Sequence, residues 1–290
     1  MNAAYAIRIG RNSSFYYNPS PELKSCVEHY IHLHFSSNNL NEDFIHPFPK
    51  GEAELYFHVG DNKILIRKNG KEKYSKHFII GPFDQPDCLY LKPVCNSSFY
   101  NCIIVPIKLS SLCDFIDIPL IALKNTNLDV VEIWGKEASH LKKQINDNQD
   151  VIESIKHIDI FLVKQLARKN NSSKRFGYLF EYCIRKEGNL TVEDLARETN
   201  ISYRTIHRIF TEKLGICPKE YLRIVRFNKV CSLLKKYPFI NWTELALSCG
   251  YYDQSHFIHE FKNFMKVCPE EFITRLKNNY YDAHPVAFSL

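Results

Sequence analysis

Apolar and polar residues alternate with a period of two in the first part of the chain. The stretch from Glu52 to Val59 places Leu55, Phe57 and Val59 on one side and Glu54, Tyr56 and His58 on the other. This pattern predicts a strand with one buried face. Two more strands are predicted at 63–67 and 78–80, separated by turn signals at Asn69-Gly70 and Gly81-Pro82. Residues 1–110 are therefore predicted to form a small β domain.

From Ser110 onward, apolar residues recur every three to four positions, which is typical of helices. Residues 130–145 and 151–166 both show this spacing. The polar run 168–173 then predicts a linker. We therefore divide the chain into a β-rich domain (1–110), a helical region for dimerisation or linkage (111–170), a further domain (171–281) and a tail (282–290).

An internal repeat occupies the last of these domains. Leu195-Ala196 corresponds to Leu245-Ala246 at an offset of 50, and Ile216-Cys217-Pro218 corresponds to Val267-Cys268-Pro269 at an offset of 51. The one-residue shift falls between Ile201 and Thr205, where a turn tolerates an insertion. A repeat of this kind is far less frequent by chance than a single motif.

The pattern of each copy predicts a short helix, a turn and a second helix. In the first copy, Thr191 and Ser202 are suitable N-caps, Asn200 suits the turn, and Gly215 ends the second helix. In the second copy, Asn241 and Asp253 take the cap positions, Gly250 takes the turn, and Pro269 starts a closing helix. A helix over 219–236 joins the copies. This arrangement is the helix-turn-helix motif, whose second helix lies in the major groove of DNA.

The outer faces of the two second helices carry side chains that can bind DNA. The first presents Arg204, His207 and Arg208, and the second presents Gln254, Ser255, Ile258 and His259. Arginine can donate two hydrogen bonds to guanine, and glutamine pairs with adenine. The alternative is that these residues are only solvated surface. Because only the first unit presents arginines, we expect it to contribute more of the affinity.

The distribution of charge agrees with this interpretation. Residues 174–281 contain 18 lysines and arginines against 12 aspartates and glutamates, whereas the rest of the 290-residue chain contains 20 of each. The whole net charge of +6 therefore lies in the repeat domain. A moderate excess permits nucleic-acid binding without proving it.

The composition is typical of a globular protein. Apolar residues make up 45% and charged residues 24%, the ordinary balance of globular proteins. The start of the chain shows no signal peptide, and no apolar run could span a membrane, so we expect a cytoplasmic protein. The ten cysteines are scattered without a CxxC pair and are expected to be reduced.

A family resemblance follows from two stretches of the repeat domain. The segment from Gly250 to Lys262 with Cys268-Pro269, and the segment from Ser202 to Phe210, resemble the motifs of AraC/XylS-type transcription regulators. The resemblance covers about 100 residues. It implies two helix-turn-helix units that enter successive major-groove segments, with the seven outer-face residues above as readers. This chain has His259 where the family often has arginine, and Lys266 where a glycine often ends the helix.

The first 170 residues resemble, more weakly, the cupin-like sensory or dimerisation domains that precede such DNA-binding domains. The similar stretch runs from Pro49 to Asp61, with Gly81 beyond it. The expected fold class is therefore α+β: a small β-barrel-like (cupin-like) domain with helices, followed by an all-α double helix-turn-helix domain. The resemblance leaves open a small-molecule effector, a homodimer and, for an activator, RNA polymerase as partners besides promoter DNA.

Two rival functions remain. One is a metal-binding cupin enzyme fused to a helical interaction module, with ligands among His32, His34, His46, His58 and His77. Metal cupins need a nearby carboxylate, and Glu42 lies eight residues beyond His34. The other rival is a helical interaction module that does not bind DNA. We expect a transcription regulator, activating or repressing, without enzymatic activity, metal or cofactor, because no catalytic motif stands in its required context.

Overall fold

The strands precede nearly all of the helices in the chain. The computed structural model describes residues 3–9, 12–36, 51–83, 89–148, 150–168, 174–237 and 241–277. The strands are β1 (Ala3–Ile9), β2 (Asn12–Tyr17), β3 (Tyr30–Ser36), β4 (Glu52–His58), β5 (Lys63–Lys68), β6 (Lys71–Ser75), β7 (His77–Ile80), β8 (Tyr90–Val94), β9 (Phe99–Lys108) and β10 (Asn127–Asp129). The helices are α1 (Leu109–Leu112), α2 (Val130–Asp147), α3 (Val151–Arg168), α4 (Lys174–Arg185), α5 (Val192–Thr199), α6 (Tyr203–Leu214), α7 (Pro218–Lys236), α8 (Trp242–Ser248), α9 (Gln254–Met265) and α10 (Pro269–Lys277).

The strands form two antiparallel sheets. One sheet has the order β1-β2-β3-β9-β4-β7-β10, and the other has the order β6-β5-β8. Alternate side chains of the large sheet, such as Tyr56, Phe78 and Tyr100, pack against Ile64 and Leu91 of the small sheet. The expected fold class, a β-rich domain followed by a helical domain, is confirmed.

The expectation of one buried face on strand β4 is wrong. Leu55 and Phe57 face the helices, as the alternation indicated, but Glu54, Tyr56 and His58 are buried as well. The reason is that the small sheet covers the second face of the large sheet. Tyr56 donates a hydrogen bond to Glu54 at 2.6 Å, so these polar groups satisfy one another inside the domain.

The region expected to be helical at 111–170 contains α2 and α3, and also the short strand β10, which pairs with β7. Asp129 ends this strand and caps α2, because its side chain accepts from the Val131 N–H and Glu132 reaches back to the Asp129 N–H. Most of the predicted linker, 169–173, and the tail beyond 281 lie outside the described residues.

The N-terminal part, which is the chain up to residue 168, and the helical domain, which is residues 174–277, share one continuous apolar core. The 3-10 segment Leu120–Leu123 and helix α1 pack against α6, and the carbonyl group of Leu120 lies beside Gly215, the residue that ends α6. Lys124 also forms an ion pair with Glu220 at 3.5 Å. The first helix-turn-helix unit is thus anchored directly on the N-terminal part.

The ends of the repeat helices follow the signals in the sequence. The Thr191 hydroxyl oxygen accepts from the Asp194 N–H, while the Asp194 carboxylate accepts from the Thr191 N–H and hydroxyl. The two bonds to the carboxylate lower the pKa of Asp194. Lys266 takes the left-handed conformation (φ 60°) in which a glycine is common, and its N–H still donates to the Lys262 carbonyl. Among the described residues, no helix combines the length and apolarity needed to cross a bilayer.

Gly215→Ala should destabilise the protein by at least about 1 kcal/mol, because Gly215 has φ 71° and an added Cβ would lie 2.6 Å from the Leu120 carbonyl oxygen. The measurement is the free energy of unfolding in urea. Gly177→Ala is the matched control. Gly177 lies inside α4 with open space around its Cβ position, so that change should stabilise by about 0.5–1 kcal/mol. An equal effect of both changes would contradict the docking of Leu120 on Gly215.

Candidate nucleic-acid interface

The first helix-turn-helix unit consists of α5, the turn at Asn200 and α6. Asn200 adopts the left-handed conformation (φ 54°), and Ser202 caps α6 by accepting from the Thr205 N–H. The inner face of α6 is buried, and the ring of Phe210 contacts those of Phe180 and Tyr221. The inner face of α6 thus holds this helix against the apolar core of the domain.

The second unit consists of α8, the turn at Gly250 and α9. Asn241 caps α8 by accepting from the Thr243 and Glu244 N–H groups, and Asp253 caps α9 by accepting from the His256 N–H at 2.7 Å. The inner face of α9 buries Phe257, Phe261 and Phe264, as expected. The two copies therefore share the same construction.

The single inserted residue of the second copy is Tyr252. Ile201 and Tyr251 are equivalent, because their N–H groups donate to the carbonyls of Ala196 and Ala246, respectively. The caps Ser202 and Asp253 are the next equivalent pair, which leaves Tyr252 without a counterpart. Its side chain is 87% exposed. The insertion therefore lies in the turn that precedes α9, the second helix of this unit.

The outer face of α6 is polar and accessible. Arg204, His207 and Arg208 are all exposed. Arg208 forms an i, i+4 ion pair with Glu212 at 3.1 Å, in solvent, where such a pair contributes less than about 1 kcal/mol. The guanidinium group of Arg204 has no hydrogen bond or ion pair to another residue that the structure describes. Both guanidinium groups are thus available to a ligand at little cost.

The outer face of α9 is less uniform. Ser255 and His259 are exposed, whereas Gln254 is half-buried and accepts a hydrogen bond from Thr243 at 2.8 Å. Ile258 is partly buried against the apolar core. The structure therefore brings the four candidates onto one helix but leaves two of them only partly accessible.

Some accessible residues near this surface were missed. His256, in the first turn of α9, is exposed, as is Tyr203, in the first turn of α6. The helix over 219–236 was predicted only as a connection between the copies. The spacing of Lys219, Arg223 and Arg226, at i, i+4 and i+7, was a readable signal for one basic face of that helix.

Three of the histidines that the alternative function would use as metal ligands form hydrogen bonds within the protein. His32 and His34 both contact the side-chain oxygen of Asn101, at 3.1 and 2.8 Å. His58 lies between the Lys76 carbonyl and the Tyr100 hydroxyl, each at 2.6 Å. Within the described part of the chain, no group of three or more His, Cys, Asp or Glu side chains could hold a metal ion. His46 and Glu42 lie outside the described residues.

A family model described as a helix-turn-helix domain matches residues 195–275. This range runs from α5 into α10 and contains both units. Residues 195–275 are a helix-turn-helix domain of the AraC type. The resemblance that the motifs indicated is therefore confirmed for this segment.

Several curated relatives of the AraC-type domain are named as regulators. The Msm operon regulatory protein of Streptococcus mutans is 28% identical over 124 residues, which cover 42% of this chain and 44% of that protein. The HTH-type transcriptional regulator MtrA of Neisseria gonorrhoeae is 30% identical over 105 residues, covering 36% of this chain and 35% of the relative. The match thus spans less than half of each relative.

Solved structures also resemble the chain, one of them over most of its length. ToxT from Vibrio cholerae O395 covers 85% of this chain and 97% of its own, with a TM-score of 0.47 and 15% identity. An AraC-type transcriptional regulator structure from Chromobacterium violaceum covers 37% of this chain and 96% of its own, with a TM-score of 0.32 and 24% identity. Neither likeness is strong enough to transfer a ligand or an activity.

Asp253→Ala should lower the stability of the AraC-type domain by about 1 kcal/mol, because it removes the side chain that caps α9. The free energy of unfolding in urea measures the effect. Asp253→Asn keeps a capping oxygen and serves as the control, with a loss well below that of alanine. Equal losses in the two variants would show that the cap does not stabilise α9.

Stability should fall as the pH drops below about 6.5. Burial lowers the pKa of His77 to about 4 and that of His58 to about 3, so both stay neutral in the folded protein while the unfolded chain takes up protons. The contribution is complete above pH 6.5 and is lost on the way down to these folded values. His77→Gln should reduce the slope of stability against pH between 6 and 4.5 by up to about 1.4 kcal/mol per pH unit. His140→Gln, a substitution at an exposed position, is the matched control for the loss of a histidine side chain.

Proposed function

We propose that the protein is a sequence-specific DNA-binding transcription regulator whose two recognition helices, α6 and α9, read promoter DNA. One observation carries the proposal: the AraC-type domain holds two equivalent helix-turn-helix units on the single helix α7, each with a buried inner face and an accessible outer face. Two units on a rigid connection suit two successive major-groove segments on one face of DNA.

We propose that side chains on the outer faces of α6 and α9 contact the DNA bases. In the first unit they are Arg204, His207 and Arg208, and in the second they are Gln254, Ser255, Ile258 and His259. The availability of both arginines supports the first set. The partial burial of Gln254 and Ile258 gives the second unit a smaller share of the affinity.

The N-terminal part is proposed to control DNA binding, through an effector, another protein or a second copy of the chain that uses α2 and α3. Its 3-10 segment Leu120–Leu123 packs on α6, so a movement of that segment would reach the first unit directly. The function is regulatory and not enzymatic, its place is the cytoplasm, and an activating role would add RNA polymerase as a partner. Reciprocal linkage requires any effector to bind more tightly or more weakly when DNA is bound.

The defining experiment selects bound sequences from random DNA with the full chain and then footprints the selected site with and without candidate metabolites. Protection of two segments about one helical turn apart on one face is the expected result. A single short protected segment, or no enrichment of any sequence, would overturn the proposal.

Replacing Arg204 and Arg208 together by alanine should reduce the preference for the selected site over unrelated DNA by at least about tenfold, since each paired base contact is worth roughly 1–3 kcal/mol. Replacing Gln254 and His259 together should have a smaller effect. The control replaces Arg67 and Arg168, two exposed arginines of the N-terminal part, and should leave the preference unchanged. Titrations on selected and scrambled duplexes measure all three. An unchanged preference in the Arg204 and Arg208 variant would refute the assignment of α6 as a reader.

A further inference from the structure

A cleft of about 680 Å³ lies between the two helix-turn-helix units. Its lining includes Tyr203 from the first turn of α6 and His256 from the first turn of α9. Thr191, the cap of α5, borders it as well. The cleft therefore lies between the two helices that we propose as base readers.

One face of α7 supplies the positive charge of the cleft. Lys219, Arg223 and Arg226 all line it, one helical turn after another. The other side of α7, with Asn228 and Lys229, lines a different cleft that faces the N-terminal part of the chain. Helix α7 thus presents its basic face between the units and a separate face to the N-terminal part.

Both arginines of the cleft are fixed by the protein. Arg223 donates through Nε to Glu260 at 3.0 Å, and Glu260 is only 6% exposed. Arg226 donates to the Gly188 carbonyl at 3.0 Å and lies over the ring of Tyr251. Of the two carboxylates in the lining, Glu260 is therefore engaged with Arg223, while Glu193 is exposed at the rim.

Lys219 differs from the two arginines. It is exposed at the start of α7, and its ammonium group makes no ion pair or hydrogen bond within the described part of the chain. The cleft thus combines two immobilised guanidinium groups with one ammonium group that can adjust to a ligand. Fixed positive charge with an adaptable donor suits a phosphodiester, which offers charge and acceptor oxygens but no base information.

We propose that this cleft binds the phosphodiester backbone of the DNA segment that runs between the two major-groove contacts. Lys219 and His256 contact the phosphate oxygens. Arg226, which is held by a carbonyl and not by a carboxylate, supplies fixed positive charge beside them, whereas Glu260 balances the charge of Arg223. This inference rests on the proposed function, because the segment between the two grooves crosses the cleft only when α6 and α9 occupy those grooves. The contact adds affinity without adding sequence preference.

The test compares Lys219→Gln with wild type on the selected site and on a scrambled duplex, over a range of salt concentrations. The slope of log K against log salt should decrease in magnitude by about 0.9, the value for one phosphate contact. The loss of affinity should be the same several-fold factor on both duplexes. Lys229→Gln removes the same charge from the face of α7 that lines the other cleft, where Lys229 pairs with Glu187 and donates to the Ser248 carbonyl, and it should leave the slope unchanged.

A second measurement locates the contact. Neutral methylphosphonate linkages placed midway between the two protected segments should weaken wild-type binding several-fold and should not further weaken binding by Lys219→Gln. Additive losses, or an unchanged salt slope in Lys219→Gln, would overturn the cleft proposal.

The two proposals can fail separately. If the Arg204 and Arg208 variant loses sequence preference while Lys219→Gln behaves like wild type, the cleft assignment is wrong and the proposed function stands. If wild type shows no sequence preference but Lys219→Gln still lowers the salt slope, the cleft binds DNA phosphate and the proposed sequence-specific function is wrong.

Discussion

The packing of aromatic rings on helix α7 is the constraint on which the rest of the helical domain depends. Tyr221 contacts Phe210 of the first unit, and six residues later Phe227 contacts Phe261 and Phe264 of the second. All of these side chains are buried. Because an α-helix is stiff over such a short distance, the two contacts fix both recognition helices on one body. A DNA site with two contacts one turn apart needs that fixed spacing.

The same helix connects three surfaces of different chemistry. Its apolar positions hold the two units together, its basic face lines the cleft between them, and another side, with Asn228 and Lys229, lines a cleft toward the N-terminal part. The N-terminal part reaches the first unit through the 3-10 segment that begins at Leu120, and it reaches α7 through the ion pair of Lys124 with Glu220. The control that we propose for the N-terminal part would therefore act first on α6, the helix that presents the two arginines.

Much of the helical domain could be predicted from the sequence because its signals are local. The caps Thr191, Ser202, Asn241 and Asp253 accept from backbone N–H groups two or three residues away. A few neighbouring residues therefore determine where each of these helices begins. The outer-face candidates followed from helical spacing alone, and their role as base readers stays a prediction. The packing of the β domain was harder to predict from the sequence, because the burial of Tyr56 and His58 depends on a second sheet that no local pattern reveals.

By itself, the sequence determined the repeat, the helix boundaries and the face of each recognition helix, since all of these rest on spacing and on short-range hydrogen bonds. Only the tertiary structure decided which of those faces remain accessible. Ile258 packs against the core, Gln254 is engaged by Thr243, and Lys219 comes to share a cleft with His256, 37 positions further along the chain. These outcomes depend on contacts between elements far apart in sequence, where the arrangement of whole helices and not the local pattern sets the distance.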